Sequence, residues 1–325
     1  MSLPARPTAS MESGAGPRAR GTGTEPITAV IVTYQSLPTI DATLKAAHEA
    51  FAAGELQVVV VDNASADGTA QHIRGHYPWV QVIDHGGNFG FARGCNRGFL
   101  EVRTPYTLFL NPDAVLDRRS LNELRAFLDS HPRCGVVAPA IRSSNGALQS
   151  AGMLLTPSGL IRSALFSKPL PTQRLIEPGG PAFETNWVCG AIFMIRSDLY
   201  RNLGMMDPRF FLYFEETDLF RRVGQNQWEL WAVAAAVATH AQGASAEQVR
   251  GARYHGCLAE FFYPSRFYFL SKHFGLASAF VSESIAFAAL CARSLVGRLR
   301  GGAPMTIRDR LAGGLFRMPT VRKEK

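Results

Sequence analysis

Residues 27–36 read ITAVIVTYQS and residues 57–69 read QVVVVDNASADGT, and these two stretches decide the fold class. Each begins with a run rich in β-branched apolar residues, which is typical of a strand that is buried on both faces of a sheet. Each run ends in polar residues, at Thr33 and Tyr34 in the first and at Asp62 in the second. The segment between the two runs has the pattern of a helix. Strand, helix and strand in this order form a βαβ unit, so the sequence predicts a parallel sheet.

The same alternation of patterns continues to residue 139. Further strands are predicted at 79–84, 106–110 and 134–139, and helices at 38–51, 67–75, 88–103 and 118–130. The fold class is therefore α/β, with a mostly parallel central sheet. Residues 140–275 are less regular. We predict there a Pro/Gly-containing loop at 156–181, a strand at 187–196, a helix at 215–222 and two short strands ending at His240.

The positive charge of the chain is concentrated near its C-terminus. Of the net charge of +8, the segment from residue 293 onward contributes +7, with nine Lys/Arg against two acids. The body is nearly neutral, which argues against a nucleic-acid partner. Residues 276–292 are mostly apolar, with Glu283 near the middle, a pattern that favours a helix lying in the membrane interface. We expect a cytoplasmic protein bound peripherally to anionic lipid on the cytoplasmic face of the inner membrane. A helix packed on the body, with a solvated tail, is the alternative.

Three regions are predicted along the chain. Residues 1–25 have almost no large apolar side chains and are predicted to be a disordered tail. Residues 26–275 form the α/β domain, and residues 276–325 form the apolar helix and basic tail. The five cysteines include no CxxC pair, so we expect a reducing cytosol rather than a disulfide framework. The first 24 residues lack the apolar segment of a signal peptide.

A Gly-rich segment, GGNFGFARGCNRG at 86–98, follows the third predicted strand. Free backbone amides before a helix, here predicted to be capped by Asn88, suit an anion, and Arg93 could reach a phosphate. The alternative is that the glycines allow close packing of helix on strand. The segment does not match GxGxxG, so a dinucleotide site is not supported.

Two strand ends carry oxygen ligands. Asp62 can accept hydrogen bonds from a base or a ribose, or it can serve only as a cap. LFLNPDA at 108–114 presents Asn111 and Asp113, whose oxygens at positions i and i+2 can hold Mg²⁺ or Mn²⁺. The alternative for this motif is a simple turn.

The segment MDPRFFLYFEETDLFRR at 206–222 places Glu215, Glu216 and Asp218 within four positions. Like charges so close repel, so a metal, a cation or a raised pKa is needed to hold them, and one of them could be a general base. A solvated acidic helix start is the alternative, although the neighbouring aromatic residues argue against it. His240, after an apolar run, could bind a metal or a phosphate, or could be structural.

Taken in order, these motifs resemble glycosyltransferase family 2, the inverting enzymes with a GT-A fold that use nucleotide sugars. Within it they are similar to rhamnosyltransferase-like enzymes of cell-surface polysaccharide assembly. The resemblance covers residues 27–275 and rests on seven segments: VTYQS (32–36), VVVDNASADGT (59–69), NFGFARGCNRG (88–98), LFLNPDA (108–114), WVCGAIFMIR (187–196), MDPRFFLYFEETDL (206–219) and HAQGAS (240–245).

The resemblance implies a role for each matching residue on the nucleotide side. Thr33, Tyr34 and Asp62 would hold the base and the ribose. Asp113, with Asn111, would take the place of the metal-binding signature of the family. Because this signature reads Asn-Pro-Asp here, Asp113 is its only carboxylate.

On the acceptor side, the resemblance implies that Gly190 lines the pocket. Glu216 stands where the family usually has an aspartate general base, and His240 stands where a histidine meets the metal and the diphosphate. Since Glu replaces Asp at the base position, Glu215 and Asp218 stay candidates.

The implied activity is a single displacement. A sugar such as rhamnose would pass from dTDP-rhamnose or a UDP-sugar to a glycan or lipid-linked glycan, with Mg²⁺ or Mn²⁺ as cofactor. A sugar nucleotidyltransferase is one alternative, but it needs a Gly-rich, basic phosphate loop where this chain has TYQSLPT at 33–39. A non-catalytic nucleotide-sugar-binding or scaffold protein is the other. The acidic cluster together with His240 argues against it.

Overall fold

A computed structural model describes residues 25–166, 174–241, 253–254, 257–299 and 307–319. All but the last residue of the predicted disordered tail lies outside the described residues, as do residues 242–245 of the His240 motif and the basic residues after 319. The described strands are β1 (Ile27–Thr33), β2 (Leu56–Asp62), β3 (Gln81–Asp84), β4 (Tyr106–Leu110), β5 (Ala114–Leu116), β6 (Cys134–Ser143), β7 (Ser150–Ala151), β8 (Arg174–Leu175), β9 (Phe183–Thr185), β10 (Ile192–Arg196), β11 (Glu229–His240), β12 (Arg253–Tyr254) and β13 (Cys257–Leu258). The described helices are α1 (Ile40–Ala52), α2 (Thr69–His76), α3 (Phe91–Phe99), α4 (Arg118–Ser130), α5 (Pro157–Phe166), α6 (Ser197–Asn202), α7 (Glu215–Gln225), α8 (Ala259–Phe274), α9 (Leu276–Leu299) and α10 (Ile307–Ala312).

A nine-stranded sheet runs through the centre of the domain. Its order is β3-β2-β1-β4-β10-β6-β11-β5, with β9 pairing on β11. Strands β1 to β4 are parallel neighbours, and β10 enters between β4 and β6 in the opposite direction. The α/β class is therefore confirmed, and the sheet combines parallel and antiparallel pairs.

Helices cover both faces of the sheet, which is why every residue of β1 is buried. On one face, Ile31 belongs to a core shared with Leu44 of α1 and Leu124 of α4. On the other face, Val32 belongs to a core shared with Cys95 of α3 and Phe220 of α7. Alternate residues of one strand thus serve two cores, as a period of two requires.

Several predicted elements agree closely with the structure, and four differ. The strands at 27–33 and 106–110 and the helix at 118–130 have the predicted bounds. The predicted loop at 156–181 contains α5, and only the second half of the predicted strand at 187–196 is extended, as β10. The two short strands predicted before His240 are one long strand, β11. Its register against β6 shifts between Glu229 and Leu230 and between Val233 and Val237, but the strand continues to His240.

The fourth difference concerns the start of α3. The helix begins at Phe91 with Gly90 as its N-cap, so the prediction that Asn88 caps it is wrong. Gly90 has a φ of 92°, and a Cβ there would lie 2.3 Å from the carbonyl oxygen of Phe211. Only glycine allows this close approach. The side chain of Asn88 instead accepts a hydrogen bond from the Gly90 amide, at 3.2 Å.

The C-terminal helices pack on the domain. Helix α9 contacts α5 and α8, and its Glu283 is fully buried. Arg266 of α8 donates two hydrogen bonds of 2.7 Å to this carboxylate, and Arg310 of α10 donates one of 2.8 Å. Within the part of the chain that the structure describes, α9 is the one helix long and apolar enough to cross a membrane, over Leu276–Val296.

Close packing of α3 on the sheet gives a testable consequence. A Cβ at Gly94 would lie 2.6 Å from a methyl group of Val32, a stiff side chain on a buried strand. We expect Gly94→Ala to lower the free energy of unfolding by about 1–3 kcal/mol through overpacking. The matched control is Gly75→Ala in α2, where a Cβ meets nothing within 4 Å. That change should raise stability by about 0.5–1 kcal/mol through helix propensity. Urea titration of both variants measures the difference, and equal effects would contradict this account of α3.

Candidate functional site

The ends of β1 and β2 are joined by a hydrogen-bonded carboxylate. Asp62 is buried and accepts from the Thr33 hydroxyl at 2.8 Å, from the Ser65 amide at 2.8 Å and from the Ser65 hydroxyl at 2.6 Å. Tyr34 follows directly and is half-buried. A carboxylate has about four acceptor positions, so Asp62 keeps one for a further donor. Asp62 therefore links the ends of β1 and β2 and has one acceptor position left.

The Gly-rich segment is bonded to the aromatic segment that precedes α7. The Phe91 amide donates to the Phe211 carbonyl oxygen at 2.8 Å, and the Arg93 Nε donates to the Pro208 carbonyl oxygen at 3.3 Å. These contacts, with the close approach of Gly94 to the sheet, favour the packing interpretation of the glycines. They also fix Asn88 and Arg93 beside the aromatic segment.

Asp113 and His240, which are far apart in sequence, meet at the sheet edge. Antiparallel pairing of β5 and β11 sets His240 opposite Ala114. The His240 Nε2 lies 3.1 Å from the Asp113 carboxylate and 3.4 Å from the Asn111 amide nitrogen. On the other side of the ring, Nδ1 lies 3.5 Å from the amide nitrogen of Gln149. Asp113, His240 and Gln149 are all buried.

The start of α7, which carries Glu215, Glu216 and Asp218, is fixed by an unusual backbone conformation. Two successive residues with left-handed backbone, Tyr213 and Phe214, both with a φ of 68°, turn the chain into the helix. Such conformations are strained for residues other than glycine and persist only where the surroundings impose them. The helix therefore begins at a fixed place and in a fixed rotation.

Asp218 is an ion-pair centre. Its fully buried carboxylate lies 2.6 Å from Lys272, 2.7 Å from His273 and 2.8 Å from Arg222. Burial alone would raise the pKa of Asp218, but the hydrogen bond from His273 and the charges of Arg222 and Lys272 outweigh it and hold the pKa below its ordinary value. This carboxylate connects α7 to α8 and is already bound by Lys272, Arg222 and His273.

Glu215 is buried among apolar side chains beneath α3. One of its carboxyl oxygens has no hydrogen-bond partner among the described residues. Burial, with the neighbouring charge of Glu216, raises the pKa of Glu215 well above its ordinary value. Burial therefore favours the neutral form of this carboxyl group.

Glu216 points towards the segment 187–191. A Cβ at Gly190 would lie 2.8 Å from the Glu216 Cγ, so the absence of a side chain at Gly190 makes room for the carboxylate. The Trp187 indole donates to the Thr217 hydroxyl at 3.1 Å, and that hydroxyl donates to Glu216 at 3.1 Å. Burial raises the pKa of Glu216, while the hydrogen bonds from its own backbone, Thr217 and Trp187 oppose the rise.

The segment 187–191 joins the two groups of candidates. The Asn111 amide donates to the Ala191 carbonyl oxygen at 2.9 Å. Burial raises the pKa of the Cys189 thiol to about 12, and the charges of Glu216 and Asp113 add to the rise. Cys189 thus lies within electrostatic reach of both carboxylates. The structure brings Asp113, Asn111, His240, Gly190 and Glu216 to one region and places Asp218 in the α7–α8 contact.

Three residues of this region were not found from the sequence. Gln149 lies in a stretch without a chemical motif, so nothing in the sequence indicates it. Trp187 and Thr217 both lie inside quoted motifs, but their hydrogen-bonded chain needs the tertiary structure. The presence of a donor-only indole beside a hydroxyl and a carboxylate is the one signal that could have suggested it.

The donor set near Asp113 fits a divalent cation. A carboxylate oxygen and an imidazole nitrogen suit Mn²⁺, and the carboxylate also suits Mg²⁺. The Gln149 carbonyl oxygen is buried beside this pair without a partner among the described residues. Over the described ranges, no group of three or more His, Cys, Asp and Glu residues could hold a metal by itself. A cation held by Asp113 and His240 would therefore take its remaining ligands from a substrate and water.

Comparison with known proteins gives a family match. A sequence model described as glycosyl transferase family 2 matches residues 28–204. The chain is 27% identical over 230 residues to the N-acetylglucosaminyl-diphospho-decaprenol L-rhamnosyltransferase of Mycobacterium tuberculosis, covering 63% of this chain and 72% of the relative.

Two solved structures have a similar fold. One is the mannosyltransferase PcManGT from Pyrobaculum calidifontis in complex with GDP-Man and Mn²⁺, with a TM-score of 0.53 and 17% identity over 90% of this chain and 80% of that one. The other is TarS 1-349 from S. aureus in complex with UDP-GlcNAc, with a TM-score of 0.53 and 16% identity over 85% and 74%. At this identity the similarity shows the fold, and the GT-A architecture expected from the motifs is confirmed.

The different environments of Asp218 and Glu216 predict opposite effects on stability. Asp218→Asn removes the buried charge that pairs with Lys272 and Arg222 and accepts from His273, and it should cost about 3–5 kcal/mol. Glu216→Gln removes a carboxylate whose charge is opposed by burial, so stability should be unchanged or higher. Because the pKa of Asp218 is lowered, its contribution is present at neutral pH and is lost as the pH falls through its folded-state pKa. Denaturant unfolding at neutral and acidic pH measures both effects, and a large loss for Glu216→Gln would make Glu216 a structural residue.

Proposed function

The chain belongs to glycosyl transferase family 2 and is a glycosyltransferase, and from this premise we propose that it inverts the anomeric carbon of a nucleotide sugar in a single displacement. The observation that carries the proposal is the position of Glu216. Its half-buried carboxylate is oriented by Thr217, accommodated by Gly190 and joined through the 187–191 segment to the strand end that carries Asp113. A base and a diphosphate site so connected are what a displacement at a sugar carbon requires.

The proposed base step involves only groups of this chain and the two substrates. The Glu216 carboxylate accepts the proton of an acceptor hydroxyl while that oxygen forms a bond to the anomeric carbon. The bond from this carbon to the diphosphate breaks, and the electron pair leaves with the nucleoside diphosphate. A positioned base of this kind contributes about 10²–10⁴-fold to the rate.

The hydrogen-bonded chain behind Glu216 favours the ionised form of the base and so opposes the effect of burial. The Trp187 indole is only a donor, so the Thr217 oxygen accepts from it and the single Thr217 hydroxyl proton is directed to Glu216. A donated hydrogen bond stabilises the carboxylate relative to the carboxylic acid. We propose Glu216 as the base, because Asp218 is held by Lys272, Arg222 and His273 and Glu215 is buried.

We propose that the donor side is formed by the strand ends. Thr33, Tyr34 and Asp62 would hold the base and the ribose, with Asp62 offering its last acceptor position to a ribose hydroxyl. Asp113 and His240, with Asn111 beside them, would hold Mg²⁺ or Mn²⁺. When bound, this cation supplies positive charge next to the leaving diphosphate. The PcManGT structure contains Mn²⁺, which supports a divalent cation in this fold.

We propose dTDP-rhamnose as the first donor to test and a UDP-sugar as the second. The L-rhamnosyltransferase named above supports the first, and TarS with UDP-GlcNAc supports the second. The same relative is named for an N-acetylglucosaminyl-diphospho-decaprenol substrate, which supports a lipid-linked glycan as the acceptor. Such an acceptor requires the enzyme to work at a membrane, so we propose a cytoplasmic location, peripheral on the inner membrane.

The first prediction on activity concerns the base. In a transfer assay with dTDP-rhamnose and a panel of UDP-sugars, the unmodified chain should give a product of inverted configuration. Glu216→Gln should bind the donor normally and lose about 10²–10⁴-fold in turnover, since Gln keeps the size and loses the basicity. A protein that bound nucleotide sugar but transferred nothing would be a binding protein instead.

The pH profile provides the control for this assignment. Because burial raises the pKa of Glu216, turnover should increase with pH through a value above the ordinary range for Glu. Thr217→Val removes a donor that opposes the rise, so its acidic limb should move to higher pH, and Thr217→Ser should restore it. An unchanged profile in Thr217→Val would assign the limb to another group.

The second prediction concerns the cation. Asp113→Ala should abolish the Mn²⁺-dependent part of nucleoside diphosphate binding, because Asp113 is the one carboxylate of the pair. The measurement is the rise in melting temperature with dTDP or UDP, with and without Mn²⁺, since a ligand of the native state raises it. Glu101→Ala, at a half-buried carboxylate that pairs with Arg97 on the turn after α3, is the control. Full Mn²⁺ dependence in Asp113→Ala would refute the assignment.

A further inference from the structure

In helix α9, polar side chains face the domain and several large apolar side chains are exposed. A helix on the surface of a soluble protein buries an apolar stripe and exposes polar residues. In α9, Ser282, Glu283 and Ser294 are buried at 0–1% exposure. Five of its large apolar side chains are exposed, Leu276 52%, Phe280 37%, Val281 56%, Leu295 60% and Val296 45%, whereas Leu290 is buried. An apolar medium on the outer side would explain this reversal.

The buried side of α9 is held by charge. Glu283 is the only acid between residues 276 and 299, and Arg266 and Arg310 bind it internally. The outer side therefore presents no acidic group. Only 22% of the apolar window Leu276–Val296 is buried, although the core helix of a soluble protein would be mostly buried. Because α9 packs against α5 and α8, it lies along the domain, and one side remains available.

Neighbouring segments extend the same apolar surface. Leu165 and Phe166, at the end of α5, are exposed, and so are Phe316 and Met318 after α10. The ring of Phe316 lies 4.5 Å from that of Phe280, so the two segments are continuous. Arg317, beside them, is exposed, and the segment from residue 293 onward carries a net charge of +7. Apolar side chains next to excess positive charge match an anionic lipid surface.

We propose that the outer side of α9, with the ends of α5 and α10, docks into the interface of an anionic membrane. The helix lies in the plane of the surface, its Leu, Val and Phe side chains enter the acyl boundary, and the exposed Arg317 contacts the headgroups. The purpose of the docking rests on the proposed function, because a lipid-linked acceptor is presented only at a membrane. The physical argument for the surface does not depend on the donor or on the chemistry.

The test is co-sedimentation of the full chain with vesicles made of equal parts of phosphatidylcholine and phosphatidylglycerol, at low and high salt. The chain should bind these vesicles, bind less at high salt, and bind pure phosphatidylcholine weakly. Leu295→Glu should reduce partitioning by roughly tenfold or more, because it places a charge where an apolar side chain would enter the membrane. Leu100→Glu is the matched control, because Leu100, at the end of α3, is 55% exposed. Val281→Glu is a second test variant, and circular dichroism checks that all three remain folded.

Two results would overturn the proposal. The first is no binding by the unmodified chain, or equal partitioning of Leu295→Glu and Leu100→Glu. The second is a dimer in solution that Leu295→Glu dissociates without any vesicle binding, which would make the surface an interface between two copies of the chain. Transfer to a short soluble acceptor without vesicles separates this proposal from the proposed function. Leu295→Glu should keep the unmodified rate there, whereas a chain that bound vesicles but transferred nothing would refute the function alone.

Discussion

The buried carboxylate of Asp218 is the interaction on which the geometry of the site depends. It binds Lys272, His273 and Arg222 with no exposure to solvent, and Lys272 also binds Asp207 in the segment before α7. A buried charge with one partner removed is costly, so this cluster permits one rotation of α7 against α8. In that rotation Glu215 faces the core beneath α3 and Glu216 faces Gly190. The ion pairs of Asp218 thus determine where the proposed base, Glu216, points.

Two structural requirements then place the carboxylates at the edge of the sheet. Parallel strands β1, β2 and β4 end together, which sets Thr33, Asp62 and the residues after Leu110 side by side. The reversed strand β10 brings the 187–191 segment across this edge, where it contacts both Asn111 and Glu216. Because β10 runs antiparallel to its neighbours, the segment before it connects the N-terminal strands to helix α7.

How well each element could be predicted from the sequence depends on how far apart in the chain its interacting residues lie. The strands at 27–33 and 106–110 were predicted with their bounds because a continuous apolar run is a local signal. Strand β11 was predicted as two strands, since its irregular register is visible only against β6. The candidate acids were found by motif, and the resemblance favoured Glu216, but the residue pattern alone kept Glu215 and Asp218 as candidates. The difference between Asp218 and Glu216 depends on Lys272 and His273, more than fifty residues later, and on Gly190 before them. Gln149 gave no signal at all.

The Arg266–Glu283–Arg310 cluster ties the C-terminal helices α9 and α10 to α8. It crosses the predicted boundary at residue 275, because Arg266 lies in α8 and its counter-ion in α9. A chain cut at this boundary would keep a buried guanidinium without its carboxylate and would uncover Phe267. The C-terminal segment is thus an integral part of the fold, and it could not be exchanged between enzymes as a separate cassette. Residues on the outer side of α9 can therefore be replaced only as long as Glu283 is kept on its inner side.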